Sequence, residues 1–256
     1  MINRSAVKTL SLGLALLGLG AVAAQAAKPK ITMLMWIGDE RYNSTRDGLL
    51  EVLKKEGFGP DKVDMTIEDA KGKKENMTEL VKKHAALKPD IWVPLGTSAL
   101  VPVAKAIKDK PVVFGMVWDP VESKVSNDWK SSGNNTTGSS SNVSLASFMR
   151  RLVKRSATPI KKIGVLFTPG EKNSELQMAA VQSVEKELGL TVIPMAVSKD
   201  EDVAPLMKDL KNKADLIYLT GSNAVTKNLA FIRDAMIKEQ VMSCTHLEDV
   251  VEKGVL

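Results

Sequence analysis

Small polar residues follow several apolar, strand-like runs of this chain, at positions where they could bind a small ligand. Hydroxyl and amide side chains that open helices, together with the free backbone N–H groups there, suit a carboxylate or another anion. The residues concerned are Thr97, Ser98, Asn173, Ser174, Ser222 and Asn223. Residues of these types are also ordinary helix N-caps, so capping and ligand contact both stay open for Thr97, Ser174 and Ser222.

Two tryptophans and two acids stand at similar strand ends. Trp36 and Trp118 would either form an aromatic wall for a ring or an apolar ligand group, or pack inside a core. Asp119 and Glu171 are the acids best placed to hold a ligand ammonium through a charge-assisted hydrogen bond. Capping and solvation are the alternatives for both acids.

Catalytic groups are few in this sequence. It has two histidines, His84 and His246, and one cysteine, Cys244. Two residues apart on a predicted strand, Cys244 and His246 would point to one side without a third group to orient them, which disfavours thiol catalysis. The sequence shows neither the spacing of a His, Cys and carboxylate metal site nor a phosphate-binding P-loop. Binding is therefore favoured over catalysis, and no cofactor is expected.

The elements that carry these residues occur twice along the chain. Residues 88–100 (KPDIWVPLGTSAL) match residues 213–225 (KADLIYLTGSNAV), and the run 31–39 matches the run 163–171. The separation exceeds a hundred residues, so the repeating unit is a whole lobe rather than one helix pair. Because open α/β sheets bind ligands beyond the carboxyl ends of their strands, two such lobes predict a ligand cleft between them.

The first 26 residues have the pattern of a cleavable signal peptide. Arg4 and Lys8 give a positive start, residues 10–22 are apolar and small, and residues 24–26 have the form of a signal peptidase site. The segment is short and diluted by Gly and Ala for a transmembrane helix. Without a cysteine near the cleavage point, a lipid anchor is not expected. We predict a free periplasmic protein whose mature chain starts at Ala27.

Composition sets further limits. The formal net charge of +6 falls to +4 once Arg4 and Lys8 are removed, and the remaining lysines are mixed with acids, as in residues 71–83. This pattern indicates a solvated face rather than a nucleic-acid interface. A single cysteine allows no disulfide within the chain, so stability must come from the hydrophobic cores.

Alternating patterns predict parallel α/β lobes. In the first lobe, residues 27–142, we expect four strands at 31–37, 63–67, 91–95 and 111–117, and helices at 44–56, 76–87 and 98–107. Residues 131–142 predict a loop or a crossing segment between the lobes. In the second lobe, residues 143–256, we expect strands at 163–167, 191–196, 216–219 and 240–245, and helices at 174–188, 203–210 and 225–237. A turn then precedes the last residues, with no closing helix.

Four motifs carry a resemblance to a known family. They are Gly96-Thr97-Ser98-Ala99, residues 111–114 with Asp119-Pro120, residues 135–138, and Gly164-Val165-Leu166 through residues 169–174. In this order, over residues 28–256, the chain resembles substrate-binding proteins of ABC-type importers, in the family related to tryptophan-type amino-acid binding proteins. The resemblance implies a type I periplasmic binding protein, with two Rossmann-like lobes joined by a hinge.

The resemblance also implies a function and a site. A monomer would bind a small polar ligand, an amino acid or related carboxylate, by hinge closure and deliver it to a membrane permease. It favours ligand contact for Thr97, Asn173 and Ser174. The family commonly has an acid before the Asn of the last loop, whereas this chain has Ser222 before Asn223. Relative to the family's pattern, the resemblance implies that the final segment, which returns to the first lobe, is missing from residues 1–256. A sensor that presents its ligand to a membrane receptor is the alternative, ahead of an α/β enzyme.

Overall fold

The computed structural model describes residues 27–255, so the predicted signal segment lies outside the described residues. The described chain forms two α/β lobes around two parallel sheets, which confirms the predicted fold class. The division of the chain at residue 142 stays a prediction, and it falls between the last strand of the first sheet and the next helix.

The first sheet holds five parallel strands. They are β1 (Lys30–Met35), β2 (Asp64–Asp69), β3 (Ile91–Leu95), β4 (Val112–Val117) and β5 (Thr136–Ser140), in the spatial order β2-β1-β3-β4-β5. Three helices connect the first four strands: α1 (Glu40–Lys55), α2 (Lys74–Ala86) and α3 (Thr97–Ala106). Every strand pair in this sheet is parallel, so the carboxyl ends of the strands share one edge.

The strand β5 corrects the prediction for residues 131–142, which form more than a loop. Thr136 is buried and pairs with Val112, while residues 137–140 are exposed. An edge strand needs apolar side chains on one face at most, so Ser and Thr can form it. The run therefore lacks the alternation of apolar and polar residues by which a strand is predicted from sequence.

The second sheet holds four parallel strands. They are β6 (Lys162–Phe167), β7 (Thr191–Ala196), β8 (Leu216–Leu219) and β9 (Met242–Thr245), in the spatial order β7-β6-β8-β9. The order around the central strand repeats that of the first sheet, as the internal sequence match predicts. The helices from residue 145 onward are α4 (Leu145–Arg155), α5 (Lys172–Gln182), α6 (Glu185–Leu188), α7 (Val203–Met207), α8 (Leu210–Lys213), α9 (Asn223–Lys227), α10 (Leu229–Lys238) and α11 (Glu248–Val251).

The three helices predicted in the second lobe are each divided. Residues 183–184 separate α5 from α6, and Asp209, in the left-handed region at φ 53°, separates α7 from α8. Asn228 ends α9 and begins α10. Apolar spacing continues across these breaks, which is why periodicity alone predicted single helices. The short helix α11 likewise stands where a turn was expected.

Helix α4 went unpredicted although its sequence carries a helix signal. Leu145 and Met149 lie on one buried face, and the Ser144 hydroxyl accepts a hydrogen bond from Ser147 N at the helix start. Both residues pack in a cluster with the β6 side chains Ile163 and Val165. The helix therefore covers one face of the second sheet.

The two lobes contact each other directly. Trp118, which follows β4 of the first sheet, is buried in the hydrophobic cluster of the second and lies edge-on to His246, with ring centroids 4.9 Å apart. Lys172 N donates to Ser98 Oγ at 3.2 Å, from α5 to α3. A looser ion pair joins Arg41 Nε to Asp249 Oδ2 at 4.0 Å. These contacts join the two lobes beside the connecting segments.

Gly96 is the position between β3 and α3 where the backbone needs glycine. Its φ is +94°, and a Cβ there would lie 2.4 Å from Tyr42 Oη. We expect Gly96→Ala to lower the free energy of unfolding by about 2–4 kcal/mol, from backbone strain and overpacking together. Urea denaturation measures the change.

Gly48, inside α1, is the matched control. A Cβ there has no neighbour within 4 Å, so Gly48→Ala should stabilise the protein by about 0.5–1 kcal/mol through helix propensity. Equal effects of the two substitutions would contradict the packing described at Gly96.

Candidate functional site

A cleft of about 860 Å³ lies between the lobes, at the carboxyl ends of the strands. From the first lobe it is lined by Trp36, Ile37, Asp39 and residues 71–75, which follow β1 and β2. The second lobe contributes residues 168–171 after β6 and residues 198–200 after β7. Residues 223, 224, 226 and 227 complete the wall from α9. The volume suits a small organic ligand.

Trp36 forms part of the cleft wall. Its backbone is fixed between two strand-end loops, because Trp36 N donates to Leu95 O at 3.1 Å and Gly72 N donates to Trp36 O at 2.8 Å. The residue is buried at 4% exposure. Its indole Nε1 makes no well-aligned hydrogen bond among the described residues, but the indole lies close enough to the Glu171 carboxyl to lower the pKa of that group. Trp36 therefore both packs in the core and lines the cleft, so the two alternatives considered for it hold together.

Glu171 lies on the opposite wall, at the start of α5. It is 4% exposed, and its Oε2 accepts a hydrogen bond from Asn223 N at 3.1 Å. Burial raises the pKa of this carboxyl from 4.5 to about 7, against the lowering influence of the Asn223 amide, Arg41 and Trp36. The native protein therefore holds Glu171 partly protonated near neutral pH.

The first-lobe hydroxyls are engaged within the protein. Thr97 is buried, and its Oγ1 accepts a hydrogen bond from Trp118 N at 2.8 Å. Ser98 Oγ accepts from Lys172 N across the lobe junction. Neither side chain lines the cleft of about 860 Å³. These hydroxyls connect the start of α3, the residue after β4 and the start of α5.

The polar residues of the second lobe form a connected set behind the cleft wall. Asn173 Nδ2 donates to Gly221 O at 2.9 Å, and Ser174 Oγ accepts from Thr168 N at 2.9 Å. Ser222 Oγ caps α9 through Val225 N and lies 2.9 Å from the donating Thr168 hydroxyl. Among the predicted hydroxyl and amide residues, Asn223 is the one that lines the cleft.

Asp119 and Trp118 lie at the lobe junction, outside the cleft lining. Asp119 Oδ1 accepts from the backbone N–H groups of Val121 and Glu122, both at 2.9 Å. Its Oδ2 accepts from Asn142 Nδ2 at 2.7 Å. The carboxylate thus fixes a turn and a connecting segment between the lobes.

His246 belongs to a second polar group, partly buried, that the sequence did not reveal. Its Nδ1 is 2.7 Å from Tyr218 Oη, its Nε2 is 3.5 Å from Gln177 Nε2, and its ring meets Trp118. Burial, with Arg41 nearby, lowers the pKa of His246 from 6.5 to about 4, so the ring is neutral at pH 7.

The cysteine and the other histidine are also buried. Burial raises the pKa of the Cys244 thiol well above its usual range, which agrees with the argument against thiol chemistry. His84 is 1% exposed, and its Nε2 lies 2.7 Å from Glu68 Oε1 on β2. Thus His84 joins α2 to the first sheet rather than standing on the surface.

Five lysines line the mouth of the cleft, and sequence reasoning missed their position. Lys71, Lys73 and Lys74 follow β2, and Lys199 and Lys227 belong to the second lobe. The solvated face predicted for residues 71–83 is exposed as expected, but its first residues face the other lobe across the cleft. Their place directly after a strand was the signal that could have identified them.

Within residues 27–255, no group of three or more His, Cys, Asp or Glu side chains is arranged to hold a metal ion. Nor does any helix in that part of the chain combine the length and apolar character needed to cross a bilayer.

Two parallel α/β lobes around a ligand-sized cleft at their strand ends define a type I periplasmic-binding-protein fold. This chain belongs to the ABC transporter substrate binding protein family, whose model matches residues 30–256. It is a family of binding proteins rather than of enzymes.

Relatives of known function or structure support this assignment. The tyrosine-binding protein of Clostridioides difficile is 22% identical over 215 residues, which cover 84% of this chain. The chain spans 62% of that relative's length. An ABC domain from Streptococcus pneumoniae in complex with L-Trp superposes with a TM-score of 0.79 at 25% identity, covering 90% of this chain and 78% of that one. A leucine-binding protein from Thermotoga maritima shares the fold, with a TM-score of 0.67 at 14% identity, covering 88% and 66%.

Glu171 and His246 predict opposite effects of pH on stability. Between pH 4.5 and about 7, native Glu171 holds a proton that the unfolded chain has lost, so its contribution to stability falls by about 3 kcal/mol as pH rises. Between about pH 4 and 6.5, unfolded His246 holds the additional proton, so its contribution rises with pH. The two contributions nearly cancel where the windows overlap.

Single substitutions should separate them. We expect the free energy of unfolding of Glu171→Gln to rise from pH 4.5 to 6.5 and that of His246→Gln to fall over the same range. Urea denaturation at half-unit pH intervals measures both. Parallel profiles for the two variants and the unsubstituted protein would contradict these pKa directions.

Proposed function

We propose that this protein is the extracytoplasmic solute-binding component of an ABC-type importer, which encloses a small polar ligand between its lobes and delivers it to a membrane permease. The observation that carries the proposal is the cleft of about 860 Å³, walled by the strand-end loops of both sheets. Membership of the substrate-binding family gives this cleft its role. Periplasmic location and the permease partner are parts of the same proposal.

The chemistry of the cleft favours an amino acid or a related carboxylate. Lysines from both lobes converge on the mouth, where they attract and hold an anionic group. The Trp36 ring offers an apolar surface in the interior. The names of the relatives agree, since they refer to tyrosine, L-Trp and leucine.

Among the residues predicted from the sequence, Trp36, Glu171 and Asn223 are proposed to contact the ligand, because they line the cleft. A second group sets the shape of the closed cleft through the hydrogen bonds and packing described above: Thr97, Ser98, Trp118, Asp119, Asn173, Ser174 and Ser222. Ligand contact by these residues requires a rearrangement of those bonds during closure.

Closure then follows from differential binding. A ligand that touches both walls binds the closed form better than the open form and shifts the equilibrium towards it. The Ser98–Lys172 hydrogen bond and the Trp118–His246 contact would form or tighten at the same time, since each joins the two lobes. The permease would recognise the closed form.

Thermal-shift measurements against amino acids, small carboxylates and nucleosides test the proposal. A ligand that binds the native state raises the melting temperature by mass action. At a ligand concentration a hundredfold above Kd, the free energy of unfolding increases by about 2.7 kcal/mol. We expect a reproducible rise for amino acids or carboxylates. No rise with any compound in the three classes would contradict the proposal.

Two tryptophan variants test whether the ligand binds in this cleft. Trp36→Phe should weaken ligand binding at least fivefold, because the indole face on the cleft is reduced (about 1 kcal/mol). Trp129→Phe is the matched control, since Trp129 is 58% exposed and lies outside the cleft lining. Equal affinity of both variants for the bound compound would place the ligand elsewhere.

A further inference from the structure

Glu171 is a buried acid without a cationic partner. No Lys, Arg or His nitrogen among the described residues lies within 4.0 Å of its carboxylate, although the residue is 4% exposed. A buried ionised carboxylate is stable only when it is paired and hydrogen-bonded. Burial raises the pKa of Glu171 to about 7, and the nearby Asn223, Arg41 and Trp36 offset this only in part. The cleft wall therefore presents an acid that a bound cation would stabilise.

The charged groups around Glu171 leave this position open for a ligand. Asp39 and Arg41, at the start of α1, lie near enough to influence its pKa in opposite directions. Arg41 is already paired with Asp39, at 3.2 Å, and lies 4.0 Å from Asp249. Tyr42 is buried beside them and keeps its phenolic proton. The lysines at 71, 73, 74, 199 and 227 are exposed at the mouth.

A second unpaired atom lies on the same cleft. The buried Trp36 Nε1 makes no well-aligned hydrogen bond among the described residues, although the indole lies close enough to Glu171 to lower the pKa of that carboxyl. Glu171 Oε1 accepts no hydrogen bond from the described residues. A buried polar group without a well-formed hydrogen bond is destabilising. A ligand that brings donors to Glu171 and an acceptor to Trp36 would satisfy both.

The other acid predicted to hold an ammonium is already occupied. Both oxygens of Asp119 accept hydrogen bonds from Val121, Glu122 and Asn142, away from the cleft lining. The last loop offers Ser222, which is neutral and caps α9. Among these candidates, Glu171 is the acid on the cleft wall.

We propose that the ligand carries an ammonium group that pairs with the Glu171 carboxylate, and that its binding releases the Glu171 proton to solvent. The inference rests on the proposed function and specifies the ligand class and its anchor. The ammonium arrives and stays charged, so the O–H bond of Glu171 breaks and the proton passes to water or buffer. The complex then holds a charge-assisted hydrogen bond in place of a neutral acid.

Calorimetric titration of matched ligand pairs tests the inference. Each amino acid is paired with the acid that lacks only its amino group: L-tryptophan with indole-3-propionate, L-tyrosine with 3-(4-hydroxyphenyl)propionate, and L-leucine with 4-methylpentanoate. We expect at least one of the three amino acids to bind, with an affinity at least tenfold higher than that of its deaminated counterpart. Repetition in buffers of low and high ionisation enthalpy should show release of about half a proton at pH 7.

Glu171→Gln and Glu75→Gln supply the matched comparison. Both remove one acid from the cleft lining, but Glu75 is exposed at the mouth. Glu171→Gln should weaken binding of the amino acid at least tenfold and abolish proton release. It should also reduce the preference for the amino acid over its deaminated counterpart. Glu75→Gln should retain all three properties.

The outcomes separate the two proposals. If a deaminated acid binds as tightly as its amino acid, or if Glu171→Gln leaves affinity and proton release unchanged, the ammonium inference is overturned and the binding function stands. If no member of the three pairs binds, and the thermal-shift panel also gives no response, both are overturned. If only other carboxylates or nucleosides without an amine respond, the function stands and the inference falls.

Discussion

Backbone hydrogen bonding of two central strands is the constraint on which the cleft depends. β1 lies between β2 and β3, and β6 lies between β7 and β8, all in parallel pairing. Side chains on both faces of the two central strands are buried except at the strand ends. A slip of one residue would move every side chain to the opposite face and disrupt the packing on both faces. The register therefore fixes where Trp36 and Glu171 leave the sheets, and with them the spacing of the cleft walls.

The contacts between the lobes differ in kind from those within them. Each sheet is covered by close-packed apolar clusters, whereas the junction combines one aromatic contact, a backbone-to-hydroxyl hydrogen bond and a weak ion pair. A second long ion pair, Lys253 Nζ to Glu40 Oε2 at 3.8 Å, also joins the lobes. Such a junction contributes much less free energy than a core, since solvent-accessible ion pairs contribute about 0–1 kcal/mol each. Opening the lobes therefore costs little compared with unfolding either one, as ligand-controlled closure requires.

The fold was predictable from the sequence because its signals are repeated and periodic. Apolar runs such as 91–95 and 216–219 have the same bounds in the sequence prediction and in the structure. The internal match placed Gly96 and Gly221 at equivalent strand ends. What failed was local: β5 is an edge strand built from Ser, Thr and Gly, and Asn228 divides a continuous apolar pattern because one residue ends one helix and begins the next.

The site was predictable in position but only partly in detail. The rule that ligands lie beyond strand ends led to Trp36, Glu171 and Asn223, which line the cleft. It gave the same weight to Ser174 and Asp119, whose polar atoms bind neighbouring loops. Spacing along a chain cannot show which side of a loop a hydroxyl faces. Nor could it show that Lys73 and Lys199, 126 residues apart in sequence, lie on one cleft.

The burial of Cys244 has a practical consequence. It is the one cysteine of the sequence, it is 3% exposed, and its thiol stays protonated at neutral pH. Reagents that attack thiolates at the surface will leave it unmodified while the protein is folded. Cysteines introduced on opposite rims of the cleft could therefore carry a pair of fluorescent dyes without removal of the native thiol. The proposed opening and closing of the lobes could then be observed in single molecules of a chain that is otherwise unaltered.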